Sequence, residues 1–433
     1  MLTERLATSS NSGILVLGQY TGQHDISPCV LELAMSDRTV DVVVVGAGAV
    51  GASCAFYLAA AGLKVLVLEQ DQVASGASTC ATGAINVING DFGDEAFLRW
   101  GVLGHEVTKE IVPIIEDLSG FKTQHQCRPG LRLAMDDNEE AQVREDFSWQ
   151  SKVVPATWLE PDEVRAIEPR INPTVRGAVL EPEASQVPGP RLTHAFMRAA
   201  ERLGAVLMPT AVTGLQWTGD RVTAVQHRHG VVYCDVVILA MGATAYAAST
   251  WIDYVVPVRP LRGERLMLRF PERPLQVLLT TPKRGHIISR LDGFLSVGST
   301  GGRDFDDRSN WVVSQEEAAL TAHPEPSAEA RAELLERSSE VIAAIRRASV
   351  AEHIAGIRPY SPDSKPIIGP VPGRSGVYLA TGHTHRGIHL AAVTGQLIRD
   401  HVLHGHFRQT DCDPSIFDPA RFAQNARMPN GKA

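Results

Sequence analysis

Two patterns of apolar residues alternate along the chain. Val40 to Val45 is an almost unbroken β-branched run, the pattern of a strand buried on both faces. "GASCAFYLAAAG" follows as a small, apolar helix with Gly62 placed to end it, and Lys64 to Leu68 predicts a second buried strand. The buried type returns at Val236 to Ala240 and at Gly376 to Ala380. Between Val256 and Thr300 alternation dominates instead, as in "RLMLRF" and "GFLSVGS", and predicts a mostly antiparallel sheet separate from the first.

Helices fall between these runs. Glu95 to Leu118 has apolar positions at helical spacing, with a kink or break expected at Pro113. "WLEPDEVRAIEPRI" reads as a short helix between prolines, and "PGPRLTHAFMRAAERLG" as a longer one with proline in its first turn and Gly204 at its end. Glu316 to Ala348 is charged and helical, suited to covering the alternating sheet. Short strands flank turns at Gly219-Asp220 and His229-Gly230. Because buried parallel-type strands lie near residues 40, 65, 238 and 378, the first domain must be discontinuous, with the second sheet inserted in it. The expected division is 35–125, 165–250 and 350–405 for the first domain and 126–164 and 251–349 for the second, with 406–433 as a tail. The fold class is α/β, or α+β if the inserted sheet is weighed equally.

Length supports two domains, since 433 residues exceed what one hydrophobic core usually fills. At 44% hydrophobic and 21% charged the chain is an ordinary globular one, and no apolar run approaches the roughly 18 residues of a spanning helix. A formal charge of −8 argues against nucleic acid as the main partner. The six cysteines are scattered without a C-x-x-C pair, so no zinc or iron-sulfur motif is read, and reduced thiols in the cytoplasm are the simplest expectation. Residues 1–34 lack the features of a secretory signal, and Met35 stands five residues before the first strand. They form an N-terminal extension: a segment outside the folded body, an upstream start, or an ordered arm through "GILVLGQY".

The chemistry begins at Gly46, Gly48 and Gly51, a G-x-G-x-x-G between the first strand and the first helix. With 37 glycines in the chain, the pattern arises by chance about 0.3 times, so context carries the argument. The glycines permit a tight turn and close approach to a pyrophosphate, whose charge meets the helix N-terminus at Ala49 and Val50. Glu69, followed by Gln70, ends the next strand 18 residues after Gly51 and is placed to accept from ribose hydroxyls. NAD and FAD share this half-site. The loop "SGASTCATGAINVIN", with Ser75, Ser78, Thr79, Gly83 and Ala84, is rich in small residues and lets backbone approach something bulky.

That loop, with the late strand and helix, resembles the FAD-binding oxidoreductases of the D-amino acid oxidase superfamily, and within it the group of glycine oxidases, sarcosine oxidase β-type subunits, opine oxidase subunits and hydrogen cyanide synthase subunits. The resemblance runs through "DVVVVGAGAVGASCAFYLA", "VPGPRLTHAFMRAAERLGAVLMPTAVTGL", "VVILAMGA", "PVRPLRGERLMLRF", "GFLSVGST", "GIRPYSPDSKPIIGPVPG" and "VYLATGHTHRGIHLA", covering nearly all of Val40 to Phe422. It implies a Rossmann-like FAD-binding domain with an inserted substrate domain. It also implies adenine against the backbone of Val212, return of Ala240 and Gly242 to the nucleotide, and a helix opening near Gly382, Gly387 and Ile388 at the flavin pyrimidine edge. Arg358 in "GIRPYSPD" takes the position that holds an amino acid carboxylate.

Two positions depart from the group. Where a second arginine is usual, this chain has His385 with Arg386 one place on, and a tyrosine position over the flavin is His286. These three join Arg358 as candidate catalytic residues. His385 and His389 have i, i+4 spacing, but no carboxylate is in the immediate motif and no metal is expected. No cysteine lies between Cys234 and Cys412, so the FAD is expected to be non-covalent. The resemblance implies oxidation of the Cα–N bond of a small or N-substituted amino acid, with oxygen or a partner electron-transfer subunit as acceptor. A non-catalytic assembly subunit and an NAD-dependent dehydrogenase are the weaker alternatives.

Overall fold

The computed structural model describes residues 39–300, 313, 324–408 and 411–425; the N-terminal extension and the first part of the expected Glu316–Ala348 helix lie outside them. In chain order the elements that build the site are β1 (Val40–Val45), α1 (Ala49–Ala60), β2 (Val65–Glu69), α2 (Glu95–Ser119), α3 (Gly189–Arg202), β3 (Val206–Pro209), β4 (Gly230–Leu239), β5 (Arg259–Arg269), β6 (Gly285–Ser289), β7 (Phe294–Gly298), β8 (Ser349–Tyr360), β9 (Val377–Thr381) and α4 (Gly387–His404).

The β-branched runs form a parallel core in the order β3-β2-β1-β4-β9. The side chains of β1, β2 and β9 and of the last part of β4 are mostly buried, as a sheet covered on both faces requires, whereas much of the start of β4 and Pro209 of β3 are exposed. β3 is a fifth parallel strand beyond the four the sequence singled out, and the strands Val212–Thr218 and Arg221–His227 extend β4 as an antiparallel edge. α1, α3 and α4 cover one face with α2. α4 approaches α1 so closely that a Cβ on Gly395 would lie 2.3 Å from Ser53 Oγ. α2 continues as one helix through Pro113, without the break that was one of the two expected outcomes, with Ile111, Val112 and Ile115 packed in the core on either side of it. Burial of that face outweighs the one lost hydrogen bond.

The second sheet has eight strands in the order β8-β5-β7-β6, then Leu278–Thr281, Gly130–Ala134, Gly177–Glu181 and Thr157–Leu159. All its pairs are antiparallel except Leu278–Thr281 with Gly130–Ala134. β8, which carries Arg358, is its edge strand on β5. The helix Ala328–Val341 packs on this sheet. Near the end of the chain, Phe417 is buried against Trp100 of α2, ring centroids 4.9 Å apart, so 411–425 pack on the core.

Candidate active site

The C-terminal ends of β1, β2, β4 and β9 open into a cavity of about 390 Å³, closed on its far side by β6 and β8 of the second sheet. Such ends are where open α/β sheets bind ligands.

Its nucleotide end is shaped by backbone. Gly46 has φ +103° and lies so close to β4 that a Cβ there would stand 2.5 Å from the Ala240 carbonyl; one on Gly51 would stand 1.9 Å from the Gly46 carbonyl. Both positions therefore exclude side chains. α1 begins at this turn with no capping side chain and no acid in its first turn, leaving its positive end to the cavity beside Gly48, Ala49 and Val50. Ser78 Oγ accepts from Ala49 N at 3.0 Å, and Glu69 accepts from Ala47 N at 2.7 Å and Asp71 N at 2.9 Å. Burial, opposed by those amides, raises the Glu69 pKa above its ordinary value.

The wall continues through Gln70, Ser75, Gly83, Ala84, Val212, Ala240 and Gly242. Three expected contact residues lie behind it. Gly51 is under the turn, Thr79 turns its hydroxyl to the Ala74 carbonyl at 2.6 Å, and Gly382, at φ +73°, sits against Ile367 and Ser361. Gly189, which the motifs did not mark, lets α3 approach the small-residue loop: a Cβ there would be 2.2 Å from the Ser78 carbonyl.

α4 opens at Gly387, also without a capping side chain or an acid in its first turn, and Gly387 and Ile388 line the cavity. Its amides and dipole favour an electron-rich group there. The neighbouring histidines are structural. His383 Nε2 bonds Thr394 Oγ1 at 2.9 Å, and His389 Nε2 bonds the Gly101 carbonyl at 2.7 Å; burial lowers both pKa values to about 3. His389 is thereby committed to α2 rather than to a ligand shared with His385. Among the described residues no three metal-ligating side chains converge.

Arg358 is half-buried at the opposite end from Glu69. Its guanidinium lies across β5 where Gly263 leaves room, since a Cβ on Gly263 would be 2.2 Å from Nη2. Nη2 donates to Ser299 Oγ at 2.6 Å and to the Thr300 carbonyl at 3.3 Å, and among the described residues no carboxylate pairs with it. Burial lowers its pKa. His286 on β6 faces the same space; its Nδ1 is buried without a hydrogen-bond partner, and burial followed by the Arg358 charge lowers its pKa to about 4. Burial, then the charges of Arg386, Arg358 and His286, hold the His385 pKa well below the usual imidazole value.

Arg386 requires a correction to the expected catalytic role. Its Nε donates to the Gly90 carbonyl at 2.8 Å, Nη1 to the Ser364 carbonyl at 3.0 Å and Nη2 to the Asp91 carbonyl, while the plane stacks on Phe92 and Phe97. With each nitrogen occupied, it braces residues 86–91 rather than meeting substrate. Two residues that carried no sequence signal brace the same loop. Glu181 accepts from Val87 N at 2.7 Å and Ile88 N at 3.1 Å, and Arg132 donates to the Ile88 carbonyl at 3.2 Å. The loop so held presents Asn86, Asn89 and Gly90 to the cavity.

A nucleotide cradle at one end and a half-buried guanidinium at the other are the features of a dinucleotide-dependent enzyme. The model of the family described as FAD dependent oxidoreductase matches residues 41–401, and the chain belongs to that family. The chain is 27% identical over 390 residues to glycine oxidase of Pseudomonas putida, covering 89% of this chain and 99% of that one. It is likewise 27% identical to hydrogen cyanide synthase subunit HcnC of Pseudomonas aeruginosa, covering 89% and 97%. The crystal structure of glycine oxidase from Geobacillus kaustophilus superposes with a TM-score of 0.79 at 25% identity, over 88% of this chain and 99% of that one. The cofactor is therefore FAD, and the cradle fits it: Gly46, Gly51 and Gly189 leave no room for side chains, and two uncapped helix ends face the cavity.

Proposed function

We propose that the protein oxidises the Cα–N bond of a small or N-substituted amino acid. The observation that carries this reading is Arg358, a half-buried guanidinium without an acidic partner among the described residues, in the same cavity as the FAD cradle. It binds the substrate carboxylate and so fixes where the Cα–N bond lies. Bound FAD supplies a two-electron acceptor for the Cα hydride; the imine left behind is hydrolysed to an oxo acid and an amine. The open amides of α4 stabilise negative charge at the end of the cavity they face. His286 and His385, uncharged at neutral pH, add no positive charge beside the amine.

The electron acceptor is oxygen or a partner chain, and similarity to HcnC, named as a subunit, supports the second. Anaerobic addition of glycine, sarcosine, D-alanine and D-proline tests the reading: one of them bleaches the flavin, and admission of air then restores the colour if oxygen is the acceptor. A flavin that none of them, nor iminodiacetate or aspartate, bleaches contradicts it.

A further inference from the structure

The Arg358 end of the cavity is furnished for more negative charge than one α-carboxylate brings. Asn89 Nδ2 and His286 Nδ1 are buried without hydrogen-bond partners. The Gly90 carbonyl, next to Asn89, accepts from Arg386 Nε, and His385, one residue before Arg386, feels the charges of Arg358 and His286, so these groups form one cluster lining the cavity. Among the described residues the carboxylates lining the cavity are Glu69 and Asp71, both at the end of β2, where Glu69 is engaged by two amides. A substrate bound through a single carboxylate on Arg358 leaves the Asn89 and His286 nitrogens unpaired and dry, which is costly. A second carboxylate satisfies them.

We propose that the substrate is an amino dicarboxylate, an amino acid or secondary amine whose second carboxylate is held by Asn89, His286 and His385 while Arg358 holds the first. The proposal rests on the amine-oxidation reading above. It has a pH signature. The groups facing the two imidazoles are Arg358 from β8, Arg386 ahead of α4 with Asp91 against it, Ser299 after β7, and Cys80, whose thiol donates to the Ala355 carbonyl. The nearby guanidinium groups disfavour protonation of the imidazoles, and a second carboxylate reverses that bias. Binding therefore takes up protons, and affinity for dicarboxylates rises as pH falls.

The test is calorimetric titration of the FAD-loaded protein with redox-inert succinate and malonate against propionate and acetate, at about pH 8.5 and about pH 6.5, where both carboxylates of each dicarboxylate stay largely ionised. The dicarboxylates are expected to bind about tenfold tighter or more, with a ratio that widens at the lower pH and a heat that depends on buffer ionisation. Asn89→Leu and His286→Phe should each shrink that ratio about fivefold. Equal affinity for mono- and dicarboxylates overturns the proposal. In parallel, anaerobic flavin reduction is followed with iminodiacetate against sarcosine and with aspartate against alanine. Sarcosine and alanine reducing the flavin as well as their dicarboxylate counterparts overturns the substrate class and leaves amine oxidation standing. Reduction by none of the four overturns amine oxidation, and the inert-ligand ratio still decides the second carboxylate site.

Discussion

A guanidinium taken out of water without an acidic partner is costly, and a protein keeps one where a ligand supplies the missing charge. Arg358, half-buried, is close to that position, with two neutral oxygens and a glycine-cleared bed but no carboxylate among the described residues. Arg358→Ala should weaken apparent substrate affinity by about 2 kcal/mol, roughly 30-fold, while the protein stays yellow. Steady-state kinetics with unchanged KM would remove Arg358 from the site. Glu181 makes a second prediction at this scale. Burial outweighs its two amide hydrogen bonds and raises its pKa from 4.5 to about 7. A carboxyl group raised on folding favours the native state below its unfolded pKa and loses that contribution as pH rises through the folded value. Wild-type stability should therefore fall between about pH 4.5 and pH 7 by up to about 3 kcal/mol from this group, and Glu181→Gln, which does not titrate, should lack that slope. Denaturant titrations of both proteins across that range measure it, and parallel slopes would contradict the assignment.

The elements meet the cofactor through two helix starts, and each is held by backbone contacts rather than by side chains. Gly51→Ala pushes a methyl group into the Gly46 carbonyl at the start of α1. The turn should shift, costing roughly 2–3 kcal/mol of stability and most of the FAD affinity, to be read from the melting temperature and the flavin retained on purification. The loop 86–91 is held from outside itself, by Glu181, Arg132 and Arg386. Arg386→Met should strand the Gly90 and Asp91 carbonyls and raise amide exchange across Val87 to Asp91. Unaltered exchange there would show that the brace is dispensable.

These elements differ in how well the sequence announced them. β1, β2 and the glycine turn were legible because an unbroken β-branched run and a fixed glycine spacing are local patterns, and "GHTHRG" likewise placed the start of α4. Glu181 and Arg132 were not legible, because nothing in "GAVLEPE" or "GLRLAM" says that these side chains cross to a loop some 90 and 44 residues away. Arg386 was misread for the related reason that a motif gives a residue's place in the chain but not the direction of its side chain. Pro113 does not break the helix because local propensity signals a break that only tertiary burial of α2 overrules.

For the molecule as a whole, the cavity lies where two sheets of different build meet: the parallel sheet provides the cradle, and the antiparallel one carries Arg358 and His286. Neither sheet alone makes the site. FAD held in such a seam binds the native state only, so at about 100 times its dissociation constant it should add about 2.7 kcal/mol of stability. Thermal melts with and without added FAD check this. Among the described residues no helix is long and apolar enough to cross a membrane.

The central claim is that one cavity holds both the flavin and an amino acid carboxylate. The most direct measurement of it is the visible spectrum of the FAD-loaded protein under anaerobic titration with amino acids and amino dicarboxylates, run side by side for wild type and Arg358→Ala. The account predicts bleaching of the wild-type flavin by at least one of them, at concentrations that must be raised about 30-fold in the variant. A flavin that none of them bleaches, or one bleached at the same concentration in both proteins, would contradict it.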